Sequence, residues 1–576
     1  MIKARLPAVN AKNANLKDYD LIKGQFCWQD AEKNFSWHGK NQMNIIAESL
    51  DRWGDDPEKS GHKALEFESP GQRISYTYQQ LKNESARWAH LFRHFGFKTG
   101  DRLLVFLSPC PESYFAMAAA ARMGVVFCPV FSTSSFYELE IRLENILPKA
   151  VLTHPDLVEQ LPFNTSALTQ HILLVKGPAP DIFENETVVE KVADSMPDEF
   201  PAVMLPADAP LYLIYTSGST RPPKGIVHTH CDMTGILMSG RWVLDLKDHT
   251  ILWTDADPAW VTGTVYGAFA PWLCGVTCVA IAQHFSAANW YRALEVFKVT
   301  TWYTTPRVLR DLIEAGEDLP TRYDLSALEH ICTVGAPLTP EMIYWARQHI
   351  GCTPLDNWWM TETGMICIAN LPSMDIKPGS IGKPLPGIEA AIIDDDGNPL
   401  PPLSLGELAL RAGWPGQMSE IWKEPERYDR YFKNGWFLTG DIALEDEEGY
   451  FYHQGRNDDL LKAGDGKFIG PFEIEQVLCM HPAVAEAAVI SKGSEPGKGM
   501  SYLKAYVTLK KGYASSSRLN HEIRAFLKGN LSPELLMREI VFIDQLPKTR
   551  SGKLLRRVLR AWELGIPGGD PTGMQD

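Results

Sequence analysis

Two hydrophobic spacings alternate along the chain. After Thr77, Leu81, Trp88, Leu91, Phe92 and Phe95 recur at helical intervals, and Thr77 and Gln80 stand at the separation of a capping box. This pattern predicts a helix that begins after Thr77 and is stopped by Gly96. A continuous apolar run, Leu103 to Leu107, comes next, then helical spacing over Tyr114–Met123, then a second run, Val125 to Pro129. Strand, helix and strand in this order predict parallel sheet joined by crossover helices. The same alternation recurs through Ala150–Val175, Val279–Ala282 and Thr300–Tyr303. From Ala390 the character changes: the short segments AAIID and GELALR, separated by DDGNPLPP, predict antiparallel strands joined by turns. After Arg456 a smaller unit of alternating strands and helices begins and runs to about Trp562. The tail after Ile566 is expected to be loosely held. No internal repeat or low-complexity stretch is visible.

The longest apolar stretch, Gly263 to Ala282, approaches the length of a membrane span. Pro271 and Gly275 interrupt it, and Gly263, Thr264 and Gly267 dilute it, so a buried helix followed by a buried strand is expected instead. At 576 residues the chain is too long for one ordinary core, and two or more domains are expected. With 45% hydrophobic and 22% charged residues it reads as a soluble globular protein. Its net charge of −15 argues against general nucleic-acid binding, which needs a surplus of Lys and Arg facing phosphates. Ten cysteines are too sparse for a disulfide framework. The nearest pair, Cys274 and Cys278, has no matching His or second pair and reads as small buried hydrophobes. The first twenty residues lack the apolar stretch of a signal peptide. A cytoplasmic setting, with no membrane and no nucleic-acid partner, is the expectation.

Chemistry concentrates first in YTSGSTRPPKGIVH, Tyr215 to His228. It follows the strand-like Leu211–Ile214 and packs four Ser/Thr hydroxyls, two glycines and a lysine between Thr216 and Gly225. Amides of such a turn converge on an anion, hydroxyls add donors, and Lys224 supplies full charge: a grip for phosphates. The spacing is not that of a P-loop. A second Gly-rich segment, Gly493 to Gly499, is one residue short of that pattern, lacks the metal-binding hydroxyl, and reads as an exposed loop. Four further motifs follow in order: WWMTETG (Trp358 to Gly364), GWFLTGD ending at Asp441, GRNDD (Gly455 to Asp459), and LPKTRSGKLLRR with Lys553. Taken singly, Glu362 could pair with a surface base, Asp441 could cap a turn, and the basic run Lys548–Arg560 could be a solvated helix.

In this set and order the motifs resemble those of the adenylate-forming (AMP-binding) superfamily, from about Asp30 to Gly569. Within it ADPAWVTGTVYGAFAPWL, DNWWMTETG, MDIKPGSIGKPLPG and RRVLRAWELGIPGGD look like the AMP-forming acetyl-CoA synthetases, particularly the shorter bacterial type. The resemblance implies an α/β fold: a large N-terminal domain of two packed mixed α/β sheets plus a distorted β-barrel, residues 1–457. A small mobile α+β domain, residues 458–576, would turn about a hinge at Asp458. It implies ATP, Mg²⁺ and CoA, and an acetate or other short-chain acid such as propionate. Thr216, Ser217, Gly218, Ser219, Thr220 and Lys224 would wrap the phosphates. Gly335, Ala336 and Pro337 with Asp356, Asn357 and Trp358 would form the adenine slot. Thr361 would touch the α-phosphate and Glu362 would hold the metal. Asp441 and Arg456 would take the ribose, and Lys467 stands where an arginine usually contacts the nucleotide. Lys553 would bridge carboxylate and α-phosphate, while Ala463, Gly464 and Lys528 would serve CoA. Val261, Thr262 and Val334 would wall the acid pocket, with Trp359 filling the volume that glycine leaves open in medium-chain relatives; ordinary core is the other reading of that indole. As an exposed catalytic lysine, Lys553 would also be open to a lysine acetyltransferase and deacetylase.

Departures keep alternatives open. Arg221 replaces a glycine of the phosphate loop and Pro222 follows it, Ala336 replaces a glutamate, the segment AGDGKFIG around Lys467 has one residue more than the family loop, and Met537 replaces a proline. These raise a degenerate adenylate-binding protein with weak catalysis, or a ligase for a different small acid. A carrier-protein adenylation module is less well supported, because no Gly-Gly-Asp/His-Ser motif follows.

Overall fold

The computed structural model describes residues 5–10, 12–177, 182–216, 223–457, 461–462, 468–469, 471–492, 502–531, 537–548 and 554–563. The chain divides into two compact units. The larger gathers the described residues of Met1–Ser217, Pro223–Glu389 and Ala412–Arg430, the smaller those of Ala390–Arg411 and Tyr431–Asp576.

Two sheets build the larger unit. Strands Arg102–Leu107, Val126–Phe131, Ala150–Thr153 and His171–Leu174 are parallel neighbours in an eight-stranded sheet. Helix Pro111–Met123 makes one crossover between them, ended by Gly124 at φ +70°. The nine-stranded sheet is parallel inside, with Ile251–Thr254, Thr301–Thr304, His330–Thr333 and Pro354–Trp358 side by side, and antiparallel at both margins. Each sheet has its own apolar layer: Leu104, Val126, Val151 and Ile172 on one, Trp253, Trp302, Leu309 and Ile331 on the other.

The local expectations can be followed into these layers. Helix Tyr78–His94 opens with the capping box, Gln80 N donating to Thr77 Oγ1 at 3.2 Å and Thr77 N to Gln80 Oε1 at 2.9 Å. Leu81, Trp88, Leu91 and Phe92 are buried as the period requires, but Phe95 is only half-buried. It lies past the helix end, against the His171 ring at 5.1 Å, and Phe97 fills the core below. The stretch from Gly263 is helical to Cys274 and then strand Thr277–Ile281, buried throughout except at half-buried Thr277 and Ile281. Its Val265–Phe269 turn is π-helical, next to Pro271, which has no N–H to continue the usual ladder. Cys274 and Cys278 are buried there, and all ten cysteines are free thiols.

The smaller unit carries a five-stranded antiparallel sheet, in which Ala390–Ile393 pairs with Gly406–Arg411 and Trp436–Glu445 pairs with Phe451–Arg456. It also holds a three-stranded sheet of Val484–Lys492, Tyr502–Leu509 and Glu539–Phe542. Alternation along Val484–Lys492 sends Ala487 and Val489 into one apolar layer with helices Pro471–Cys479 and Ser517–Asn530. Ala488 and Ile490 enter another with Leu559 of helix Arg556–Glu563. Met537 is buried in the first layer, so the departure from proline is absorbed as an ordinary core contact. The architecture is a large N-terminal domain of mixed α/β sheets, a partial barrel sheet, and a smaller α+β C-terminal portion.

Candidate active site

The strand Pro210–Thr216 turns back on Lys224–Thr229, pairing antiparallel with Thr216 opposite Lys224. Its LYLIY core is apolar and aromatic, so both strands are held in the sheet interior. Ser217, Gly218, Ser219, Thr220, Arg221 and Pro222 of that turn lie outside the described residues. At its two ends the structure places Thr216, whose buried Oγ1 finds no partner among the described residues, and Lys224, which is buried.

A buried ammonium needs a counter-charge, and Lys224 meets the Glu362 carboxylate. Glu362 sits in the 3₁₀ turn Thr361–Thr363, directly after strand Pro354–Trp358. Several groups hold that turn. His228 Nε2 faces the Thr361 carbonyl at 2.7 Å, while its Nδ1 faces Asp232 Oδ2 at 2.5 Å; Met418 N donates to the Glu362 carbonyl at 3.0 Å, and Trp414 Nε1 to that of Thr363 at 2.9 Å. Gly364 closes it at φ +64°, where a Cβ would lie 2.2 Å from the Gly416 carbonyl oxygen. The final glycine of WWMTETG is therefore required by both backbone angle and space. Glu362 is the acidic side chain of this turn. One buried carboxylate suits Mg²⁺, which commonly takes one or two carboxylates and completes its shell with water and substrate phosphates.

The preceding strand carries the proposed adenine side. Asp356 is buried, accepting from Thr333 Oγ1 at 3.0 Å and Leu338 N at 3.3 Å, and burial pushes its carboxyl up to about 7 despite those bonds. Asn357 is buried with Oδ1 bonded and Nδ2 without a partner among the described residues. Gly335 has φ +91° and approaches the Trp260 ring, where a Cβ would stand 3.3 Å from Cη2; Gly335 and Ala336 are exposed and Pro337 is half-buried.

Val261, Thr262, Val334 and Trp359 are all buried. The Trp359 ring meets Tyr266 edge-on at 5.0 Å, and its Nε1 donates to Tyr303 Oη at 2.9 Å. Tyr303 and Tyr266 were not marked by any motif. Tyr303 lies in an apolar strand run that reads as plain core, and Tyr266 in the long apolar stretch. The only available signal for Tyr266 was its position four residues beyond Thr262 in a helical segment.

In the smaller unit, Asp441 and Arg456 are direct cross-strand partners, with Arg456 Nη1 donating to Asp441 Oδ1 at 2.8 Å. His453 Nε2 lies 3.5 Å from Asp441 Oδ2, and Gly440 N donates to Glu407 Oε1 at 2.9 Å. Neither His453 nor Glu407 was singled out from the motifs. Gly440, at φ +71°, leaves room for the Arg456 guanidinium, since a Cβ would stand 3.1 Å from Nη2. Lys528 is exposed in the last turn of its helix. Asp458, Ala463, Gly464, Lys467, Lys553 and the segment Gly493 to Gly499 lie outside the described residues.

Known proteins bear directly on this arrangement. The family model described as AMP-binding enzyme matches residues 55–422, and that described as AMP-binding enzyme C-terminal domain matches residues 473–553. The chain belongs to the family of AMP-binding enzymes. It is 43% identical over 573 residues to the acetyl-coenzyme A synthetase of Bacillus subtilis (strain 168), covering 99% of each chain. It is 33% identical to the acetyl-coenzyme A synthetase of Pyrobaculum aerophilum, over 94% of this chain and 86% of that one. Among solved structures it is similar to the anthranilate CoA ligase AuaEII in complex with anthranoyl-AMP, with TM-score 0.82 and 26% identity over 91% of this chain and 98% of that one. No helix among the described residues is long and apolar enough to cross a membrane.

Proposed function

We propose that the chain is an AMP-forming acetate–CoA ligase, converting acetate or another short acid such as propionate, ATP and CoA to acyl-CoA, AMP and pyrophosphate. The observation that carries this reading is the meeting of Lys224 and Glu362, both buried, from two segments far apart in sequence. Adenylation needs positive charge and a metal-holding carboxylate at one place, and the pocket walled by Trp359 lies just upstream of Glu362 in the chain. The likeness to acetyl-coenzyme A synthetases over the whole length supports the acid.

In the first step a carboxylate oxygen attacks the α-phosphorus and pyrophosphate leaves with the bonding pair of the broken P–O bond. Two anions must approach, so placed charge does most of the work. Lys224 and the turn Thr216–Thr220 bind the phosphates, Thr361 orients the α-phosphate, and Lys553 bridges it to the acid. Glu362 would hold Mg²⁺, which would neutralise charge on the phosphates. Gly335 to Pro337 and Asp356 to Trp358 hold adenine, with Asn357 Nδ2 a donor in want of an acceptor; Asp441, Arg456 and Lys467 bind the ribose side. In the second step the CoA thiol attacks the adenylate carbonyl and AMP leaves. Residues 458–576 turn about Asp458 between the steps, bringing Ala463, Gly464 and Lys528 to CoA. Acetylation of Lys553 by a lysine acetyltransferase would remove its charge and stop the first step. The setting is cytoplasmic.

The test is acid-dependent ATP–pyrophosphate exchange over acids from acetate to octanoate and benzoate. Exchange with acetate or propionate is expected. ATP binding without exchange for any acid would overturn the reading in favour of an adenylate-binding protein with little catalysis.

A further inference from the structure

Tyr303 lies in strand Thr301–Thr304 and is 1% exposed. Its phenol reaches across the neighbouring strand His330–Thr333 to the strand beyond it, Pro354–Trp358. Asn357 and Trp359 are two residues apart, so their side chains leave the chain on the same side. Both end at one oxygen: Trp359 Nε1 donates to Tyr303 Oη at 2.9 Å, and Tyr303 Oη donates to Asn357 Oδ1 at 2.9 Å. The direction of this relay is dictated, because an indole can only donate and the phenol's own proton is then left for the amide oxygen. Burial holds the Tyr303 phenol well above its ordinary range, so that proton stays in place.

Two consequences follow from one hydroxyl. The indole is pinned by a hydrogen bond as well as by the edge contact with Tyr266, whose own hydroxyl is held by Ser239 at 2.8 Å and Ile366 N at 2.7 Å. The Asn357 amide is pinned with oxygen toward Tyr303, which leaves the buried Nδ2 as the atom offered elsewhere. We propose that Tyr303 is the positioning residue that fixes both the end wall of the acid pocket, through Trp359, and the donor presented to the nucleotide base, through Asn357. Tyr303 thereby sets the chain length of the acid without touching it. The inference rests on the reading of the chain as a short-chain acyl-CoA ligase.

Tyr303→Phe keeps the ring and removes the relay. The experiment measures kcat/KM for acetate and butyrate and KM for ATP in wild type, Tyr303→Phe, Trp359→Phe and the double variant, with the melting temperature of each. Tyr303→Phe is expected to raise the butyrate-to-acetate ratio about tenfold and to raise KM for ATP, as losing a buried partner does. Added to Trp359→Phe, which has no N–H to anchor, it should change that ratio by less than about twofold while still raising KM for ATP. A ratio unchanged in Tyr303→Phe, or the same rise in both backgrounds, overturns the inference. A lower melting temperature with both acids slowed equally also overturns it, as the mark of a merely structural residue. A wild type that activates no short acid instead overturns the functional reading beneath it.

Discussion

The Lys224 ammonium and the Glu362 carboxylate form an ion pair in which the side chains are 8% and 6% exposed. One comes from the strand Lys224–Thr229, the other from the 3₁₀ turn Thr361–Thr363. A pair this deep contributes little net stability, but either charge left alone is costly. Lys224→Met should therefore destabilise by about 3–5 kcal/mol, whereas Lys224→Met with Glu362→Gln should recover a large part of that loss. Urea unfolding of the two singles and the double gives the answer. All three should be inactive in ATP–pyrophosphate exchange, because a ligand that draws on both charges loses them together. Equal destabilisation by the double and the sum of the singles would show that the charges do not depend on one another.

Asp356 gives a pH dependence whose sign is fixed by its surroundings. Burial raises its carboxyl to about 7 in the folded protein, against an unfolded value near 3.8. Between those values the folded state binds more protons than the unfolded state, so this group makes stability fall as pH rises through that window. The penalty is complete above about 7 and absent below about 4. Asp356→Asn, an uncharged analogue of the protonated acid whose Oδ1 can accept from Leu338 N while its Nδ2 donates to the Thr333 hydroxyl, should match wild type at low pH and exceed it at pH 8 by a few kcal/mol, on the order expected for such a shift. Denaturation of both proteins at several pH values checks it, and a difference independent of pH would refute the assignment.

How far the sequence could be read depends on how local each feature is. The Thr77–Gln80 box and the helix–strand reading of Gly263 to Ala282 needed only neighbours, and both are present. Phe95 kept the helical period but fell beyond the helix end, where its ring turns to His171. In the site, Lys224, Thr361 and Glu362 stood out because each lies in a motif that belongs to an ordered set, although no one of those motifs is diagnostic alone. Tyr303 and Tyr266 act through contacts with residues distant in sequence, and their own segments look like any buried strand or helix. Nothing in Thr300–Tyr303 announces that one hydroxyl meets both Asn357 and Trp359. His453 is similar: it comes near Asp441 only because two strands pair in register.

In the proposed mechanism Lys553 serves only the first of the two half-reactions. Lys553→Ala should abolish acetyl-adenylate formation from acetate and ATP, since the ammonium that bridges two anions is gone. Thioester formation from supplied acetyl-adenylate and CoA should persist, because that step does not require the bridge. Rapid-quench assays of each half-reaction decide it. Equal loss in both, in a folded variant, would sink the assignment of Lys553 to the first step and the turning of residues 458–576 between them.

In the proposed acid pocket the choice of acid rests on Trp359. Its indole is buried, anchored by Tyr303 and packed against Tyr266, so it is a rigid wall and not a side chain that swings aside. Extra methylenes would have to overpack that core, which costs about 1–3 kcal/mol or more. Trp359→Gly removes the wall and leaves an apolar channel, in which each additional buried CH₂ contributes roughly 0.8 kcal/mol instead of clashing. Acids of four to eight carbons should then become substrates. Acetate should become a poorer one, because its methyl loses contacts on one side. Binding of ATP should weaken less than acid discrimination shifts, since Asn357 retains its bond to Tyr303 and Trp358 is untouched. The measurement is kcat/KM for acetate, butyrate and octanoate in both proteins. A folded variant that still rejects butyrate, or a wild type that already prefers octanoate, would show that the acid does not end against this indole.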